Sequence, residues 1–184
     1  MIVVDLSQNT EYRDLWHDFK MSLVDSDDRL YENYLELDPK SFECFPAVIE
    51  NNNIVCFSGL QIDQTNWGSS IARCSTRLWI HPEYRQKGMA KFTGGERFLN
   101  TTYCLPLQLK RAREIGIECV FISREKNKKG FQEYLKLIDI NCNHDFKLQE
   151  QKYNIYSCEQ FVAVCSLSHQ GLKIWSDNMS KYKL

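Results

Sequence analysis

No C-x-x-C pair occurs among the eight cysteines of this 184-residue chain, and its four histidines fall at no ligand spacing. The 23 Lys and Arg residues nearly cancel 24 Asp and Glu. Each shortage closes off a class of function. Without paired Cys and His spacings there is no metal centre or disulfide scaffold to read. With a net charge of −1, no global field draws nucleic acid or an anionic membrane surface. No apolar run approaches the roughly 20 residues that span a bilayer. The opening "MIVVDLSQNTEYRD" turns acidic too soon for a signal peptide. The chain therefore reads as a reduced, cytoplasmic protein, in which the sequons at Asn100 and Asn178 are chance matches. Repeats, low-complexity tracts and a domain linker are absent too, which leaves one domain over residues 1–184.

What is present is a mixed order of elements. Met1 to Asp5 suits a strand, and Leu15, Trp16, Phe19 and Leu23 give helical spacing over Glu11 to Leu23. A second helix is expected over Leu30 to Leu37. The segment "FPAVIENNNIVCFSGLQID" reads as a hairpin, because consecutive Asn residues tolerate turn backbone between apolar runs. After the loop "QTNWGSS" comes a strand over Ile71 to Ile80, ended by Pro82. Cys56, Cys74, Cys119 and Cys165 sit in strand-like runs as small hydrophobes. Leu105 to Glu114 reads as a helix stopped at Gly116, "IECVFIS" as a buried strand and "NKKGFQEYLKLI" as a helix. "FKLQEQKYNIYS" and "FVAVCSLS" read as two last strands. The order argues an α+β fold rather than a doubly wound sheet.

The stretch "HPEYRQKGMAK", His81 to Lys91, leaves the 71–80 strand and opens a helix-capable segment around the lone Gly88. A helix starting there presents unpaired N–H groups at its positive end, and Gly88 removes the side chain that would hold a ligand away. That is chemistry for holding a phosphate. Downstream, Asn127 and Tyr134 lie seven residues apart around the next predicted helix.

These residues resemble the GNAT N-acetyltransferase family. Its signature is Arg or Gln, two residues, Gly, one residue, then Gly or Ala, and Arg85-Gln86-Lys87-Gly88-Met89-Ala90 fills it. The Asn127 and Tyr134 spacing is a second family feature. The resemblance implies an α+β acyl-CoA N-acyltransferase fold, with a mixed, mostly antiparallel central sheet flanked by helices. It implies acetyl-CoA as cofactor, its pyrophosphate arm bound by backbone N–H groups of Gln86 to Ala90 with Arg85, Lys87, Gly88, Met89 and Lys91 around it. Leu78, Trp79 and Ile80 would pair with the pantetheine amides as if the cofactor added a strand. Asn127 would touch the cofactor arm, and Tyr134 would be the catalytic acid for the leaving thiolate. The implied reaction is direct transfer of acetyl to a primary amine of a small-molecule or peptide acceptor. No nucleic acid or membrane partner is expected, and a homodimer is compatible with the sheet edges. The alternative is a GNAT-fold protein without catalysis that binds coenzyme A or a protein partner.

Residue readings stand beside these. Tyr134 equally fits an amphipathic core stripe with Phe131, Leu135 and Ile138, and Asn127 equally fits a helix N-cap. Alternation on the 71–80 strand puts Arg73, Ser75, Arg77 and Trp79 on one face, and Arg73 with Arg77 suits an acceptor bearing carboxylate or phosphate. That strand has no Asp or Glu, so Glu43, Glu50 and Asp63 stand as alternatives for the base. Trp67 reads as a loop anchor. Residues 93–104 read as an insertion and 169–184 as a C-terminal extension that carries Leu172, Ile174 and Trp175.

Overall fold

The structure, a computed structural model, describes residues 1–24, 36–86, 98–124 and 128–184. Its sheet contains β1 (Ile2–Asp5), β2 (Pro46–Glu50), β3 (Asn53–Ile62), β4 (Ile71–Ile80), β5 (Cys119–Arg124), β6 (Lys147–Leu148), β7 (Tyr153–Ile155) and β8 (Cys158–Ser166). The spatial order is β1-β2-β3-β4-β5-β8-β6, with β7 also on β8. All neighbours are antiparallel except β4 and β5. A parallel pair needs a crossover, which here carries helix. The sheet is thus mixed and mostly antiparallel, in an α+β arrangement.

The helices are α1 (Arg13–Val24), α2 (Gln64–Trp67), α3 (Pro82–Gln86), α4 (Leu105–Glu114), α5 (Lys128–Cys142) and α6 (Gly171–Met179). A π-helical turn, Asn100–Cys104, runs directly into α4. Alternating residues of β5 separate two layers: Val120 and Ile122 pack with Leu105, Leu109, Phe131 and Ile138 of α4 and α5, whereas Cys119 and Phe121 pack with Trp175 and Met179 of α6. On the α6 side of the sheet, α1 buries Trp16, Phe19 and Leu23 against Phe45, Phe57 and Trp79. The Phe19 ring lies 4.7 Å edge-on from Trp79, and Phe57 stacks on Trp79 at 5.7 Å. Each such ring contributes about 2–3 kcal/mol by burial, which anchors α1 over the end of β4.

The Asn-rich turn forms as expected: Asn51 and Asn52 have φ of 50° and 61°, the left-handed pair of a two-residue hairpin. A second such turn joins β7 to β8 through Tyr156 and Ser157, at φ of 51° and 61°. Nothing in their residue types announces it, since Tyr is a poor left-handed residue. The expected penultimate strand is itself broken into β6 and β7 by the non-extended stretch 149–152.

Three expectations change. "QTNW" is a helical turn capped by Asp63, and Trp67 is a buried core residue rather than a loop anchor. In α6, Trp175 and Met179 point inward but Leu172 is exposed, because the helix seats on its Gly171 edge. There a Cβ would meet the Glu118 carbonyl oxygen at 2.3 Å, so only glycine allows the approach. The helix expected over Leu30 to Leu37 lies outside the described residues except for Glu36 and Leu37, which are not helical.

Candidate active site

Strand β4 is where the sheet opens. It pairs with β5 only at Ile71↔Cys119, Ala72↔Val120 and Arg73↔Phe121. Immediately beyond, its register with β3 slips twice, between Gln61↔Arg73 and Gly59↔Thr76 and again before Phe57↔Trp79. The extra residues are taken up at Ser75 and Arg77, whose φ values are 54° and 53°. Two bulges in one strand bend and twist it. The β5-facing side of β4 consequently has no β5 partner from Cys74 to Ile80 among the described residues, and a wedge opens between the two strands.

The bulges also overturn the expected alternation. Ala72 and Cys74 belong to the α4 and α5 layer, and Ser75 reaches that layer too through a hydrogen bond from Asn100. Trp79 instead packs under α1. Arg73, Ser75, Arg77 and Trp79 therefore do not share a face.

Under the wedge, on the α4 and α5 side, lies a network of neutral polar groups. The Ser75 N–H donates to Gln108 Oε1 at 2.8 Å, and Gln108 Nε2 donates to Ser58 Oγ at 2.7 Å. Ser58 Oγ donates to Asn100 Oδ1 at 2.6 Å, and Asn100 Nδ2 donates to Ser75 Oγ at 2.9 Å and to the Tyr134 hydroxyl at 3.1 Å. Ser58, Asn100 and Gln108 are fully buried, and Tyr134 is 4% exposed. The two readings of Tyr134 thus coexist in position: its ring belongs to the apolar core with Phe131 and Ile138, while its oxygen joins the polar network. Asn100, Gln108, Ser58 and Ser75 were not singled out as site residues from sequence. A signal existed, because Asn100, Cys104, Gln108 and Ala112 follow at i+4 spacing and all point inward. Polar side chains on the buried stripe of a helix need partners. Burial of Asn100 also means that no glycan is accommodated on it in the folded chain. Of the stretch 93–104, residues 98–104 are helical, with Leu99, Asn100, Thr101 and Cys104 in the interior.

The remaining expected residues lie around this wedge. Leu78, Trp79 and Ile80 occupy the end of β4, and Pro82 starts α3 just beyond. Arg85 Nε donates to the Ile80 carbonyl at 2.5 Å, and its guanidinium sits 6.0 Å from the Trp79 ring centre. Gln86 is the last residue described there. Lys87, Gly88, Met89, Ala90, Lys91 and Asn127 lie outside the described residues. On β5, beyond the stretch paired with β4, the buried Ser123 Oγ has no hydrogen-bond partner among the described residues.

Across β4 from the network, the chemistry is charged. The Arg73 guanidinium lies 6.0 Å from the Tyr156 ring centre, and Arg77 is exposed. The Tyr156 hydroxyl donates to Asp63 at 3.0 Å. Burial and the Asp63 carboxylate push the Tyr156 phenol up to about 12, against the pull of Arg73 and Arg77. Desolvation raises the Asp63 carboxyl, but donation from the Asn66 amide, the Asn66 N–H, Tyr156 and the Thr65 N–H leaves it below its ordinary value. An engaged carboxylate held low is a poor proton acceptor. Asp63 caps α2, its carboxylate engaged by the Asn66 N–H and amide and by Tyr156. Glu50 lines a cleft of about 1130 Å³ between α1, the Asn51–Asn52 hairpin and the end of β4, together with Asp18, Trp79, His81 and Arg85.

No protein-family model matches the sequence, and no curated protein sequence matches it significantly. Solved structures do resemble the fold. An acetyltransferase of the GNAT family from Streptococcus pneumoniae superposes with a TM-score of 0.53 at 13% identity, covering 91% of this chain and 100% of that one. An aminoglycoside 6′-acetyltransferase type Ii gives 0.53 at 13%, covering 91% and 98%. The Salmonella typhimurium protein yncA, solved with its cofactor acetyl-CoA, gives 0.54 at 13%, covering 92% and 95%. At such identities the likeness establishes the fold, which is that of the GNAT acetyltransferases.

Proposed function

We propose that this chain is an acetyl-CoA dependent N-acetyltransferase that passes the acetyl group directly to a primary amine, with Tyr134 as the general acid. The observation that carries the reading is the wedge itself: among the described residues β4 parts from β5 after Arg73, next to a buried phenol. An extended, amide-bearing chain such as pantetheine suits that opening, because it completes the sheet by strand addition. The unpartnered Ser123 Oγ offers one further polar group beside the gap.

Acetyl-CoA, when bound, supplies the acetyl group activated as a thioester. The residues of this chain do the rest. Backbone around Leu78, Trp79 and Ile80 orients the pantetheine arm, and the Arg85 to Lys91 loop with Asn127 holds the phosphate end. Tyr134 Oη would donate its proton to the departing sulfur; phenol and thiol acidities differ by little more than one unit, so the transfer is not steeply uphill. The proton the amine nitrogen sheds on becoming an amide would leave through solvent and restore the phenol. Arg77 and Arg73 favour an acceptor with an anionic group beside its amine. No cysteine is needed as a nucleophile. The thiols nearest this region are also poor thiolates, since burial drives Cys74 well above its ordinary value.

Calorimetric titration of acetyl-CoA into the protein and into Gly88→Glu tests the reading. Binding by the parent that is lost in the variant is the expected result. No binding at millimolar cofactor would sink it. Binding without turnover over a broad amine panel would instead select a coenzyme A binder that performs no transfer.

A further inference from the structure

We propose that Asn100 is a positioning residue for Tyr134, held by Ser58 and Gln108 so that it donates to the phenol oxygen rather than taking the phenol proton. This rests on the reading of Tyr134 as the acid.

The direction of the bonds in the network follows from one backbone group and one short oxygen–oxygen distance. The Ser75 N–H can only donate, so the Gln108 atom 2.8 Å from it is the amide oxygen. Gln108 therefore turns its NH₂ toward Ser58. Ser58 Oγ, accepting from that NH₂, spends its single hydrogen on the bond to Asn100, whose 2.6 Å length is that of an O–H···O bond and so places Oδ1 there. Asn100 is then left with NH₂ facing Ser75 Oγ and Tyr134 Oη, one hydrogen for each. Flipping the Gln108 amide would set its NH₂ against the Ser75 N–H, two donors face to face, and the 2.6 Å spacing from Ser58 Oγ is an oxygen–oxygen distance, shorter than an amide N–H bond makes, which fixes Asn100 Oδ1 there. The phenol oxygen is thus an acceptor toward Asn100, and its hydrogen is not spent on Asn100.

The backbone supplies the starting point. Ser75 has φ of 54° in the first β4 bulge, two residues past the last β5 pair, and its N–H bonds a side chain rather than a neighbouring strand. The same distortion that opens the wedge therefore sets the polarity of the network beneath it. Asn100 reaches the phenol from the π-helical turn Asn100–Cys104, a helix form that recurs at functional sites. A donor bonded to the phenol oxygen also stabilises the phenolate left after proton transfer.

The test uses Asn100→Ala in the parent and in a Tyr134→Phe background, with two readouts. The first is the tyrosine Raman doublet of the protein without cofactor, taken as a difference against Tyr134→Phe; its intensity ratio distinguishes a phenol oxygen that accepts from one that only donates. Asn100→Ala should move the Tyr134 ratio from accepting toward donating, and an unchanged ratio overturns the proposal. The second is release of coenzyme A from acetyl-CoA with hydroxylamine as acceptor. Asn100→Ala should lower kcat about tenfold or more, leave KM for acetyl-CoA in place, and cost nothing further in the Tyr134→Phe background. Equal losses in both backgrounds would mean a merely structural role and overturn the proposal. Full activity in Tyr134→Phe alone would sink the acid reading instead, which separates the two failures. If Asn100→Ala does not fold, Ser58→Ala removes the bond that fixes the Asn100 amide. The Raman ratio should then move in the same direction by a smaller amount, and no movement overturns the proposal.

Discussion

The two sides of β4 solve opposite problems. Toward α4 and α5, the buried Ser58, Asn100, Gln108 and Tyr134 and the half-buried Ser75 are uncharged and bonded to one another. Toward the Tyr156–Ser157 turn, Arg73, Arg77, Asp63 and Tyr156 are charged or half exposed. Burial suits the first set because neutral dipoles closed into a network lose little on desolvation. It would penalise the second, where ions need water or a close counter-ion. A strand with this asymmetry can keep a proton donor dry on one side and sort acceptors by charge on the other.

The sharpest way to break the comparison is at the phenol. Tyr134→Phe should lower kcat about 10²-fold or more with KM for acetyl-CoA nearly unchanged, as read by steady-state coenzyme A release. Next is Gln108→Leu, which orphans the Ser75 N–H and one Ser58 contact. It should destabilise the fold by about 2–3 kcal/mol in denaturant titration. On the wet side the expectation inverts: Arg77→Ala should leave stability within about 0.5 kcal/mol. It should raise the KM of an anionic acceptor roughly tenfold, an effect that fades with added salt. If Arg77→Ala unfolds the protein, or Gln108→Leu does not weaken it, the division fails.

The smallest effect is at Tyr156→Phe, about 1 kcal/mol or less because the bond to Asp63 is partly solvated. Its pH dependence is the useful part. Asp63 is held below its ordinary value, so its contribution is present above the unfolded carboxylate range and is lost as acid protonates it. Tyr156 is held above its ordinary value, so its contribution is full below the unfolded phenol range and lost as pH rises through about 12. Thermal melts of parent and variant should therefore differ at neutral pH and converge at strongly acidic pH.

Much of the frame was legible beforehand, for identifiable reasons. Leu105 to Glu114 was bounded correctly because Gly116, at φ of 78°, stops it with Arg111 and Arg113 in its last turns. The Asn-rich hairpin followed from residues that accept left-handed backbone. The alternation on β4 misled because a bulge adds a residue without changing composition, and Ser75 and Arg77 give no sign of positive φ. The helical turn at Trp67 was hidden by its length, one turn. Asn100 was passed over for a different reason: it falls in the stretch 93–104 read as an insertion, whereas its spacing with Cys104, Gln108 and Ala112 marks a buried stripe. Spacing carried the better signal there.

The cysteines have a practical consequence. Burial raises the thiols of Cys44, Cys56, Cys74, Cys119, Cys142 and Cys165, to about 12 for Cys119 and Cys142 and about 11 for Cys165, and Cys104 is fully enclosed. Cys158 alone stands exposed, directly after the Tyr156–Ser157 turn. A thiol-directed fluorophore should therefore attach there first. The chain carries, in its natural sequence, a single addressable reporter beside the face that would receive the acceptor, and arrival of an amine can be watched as a change in colour or intensity without removing any other sulfur.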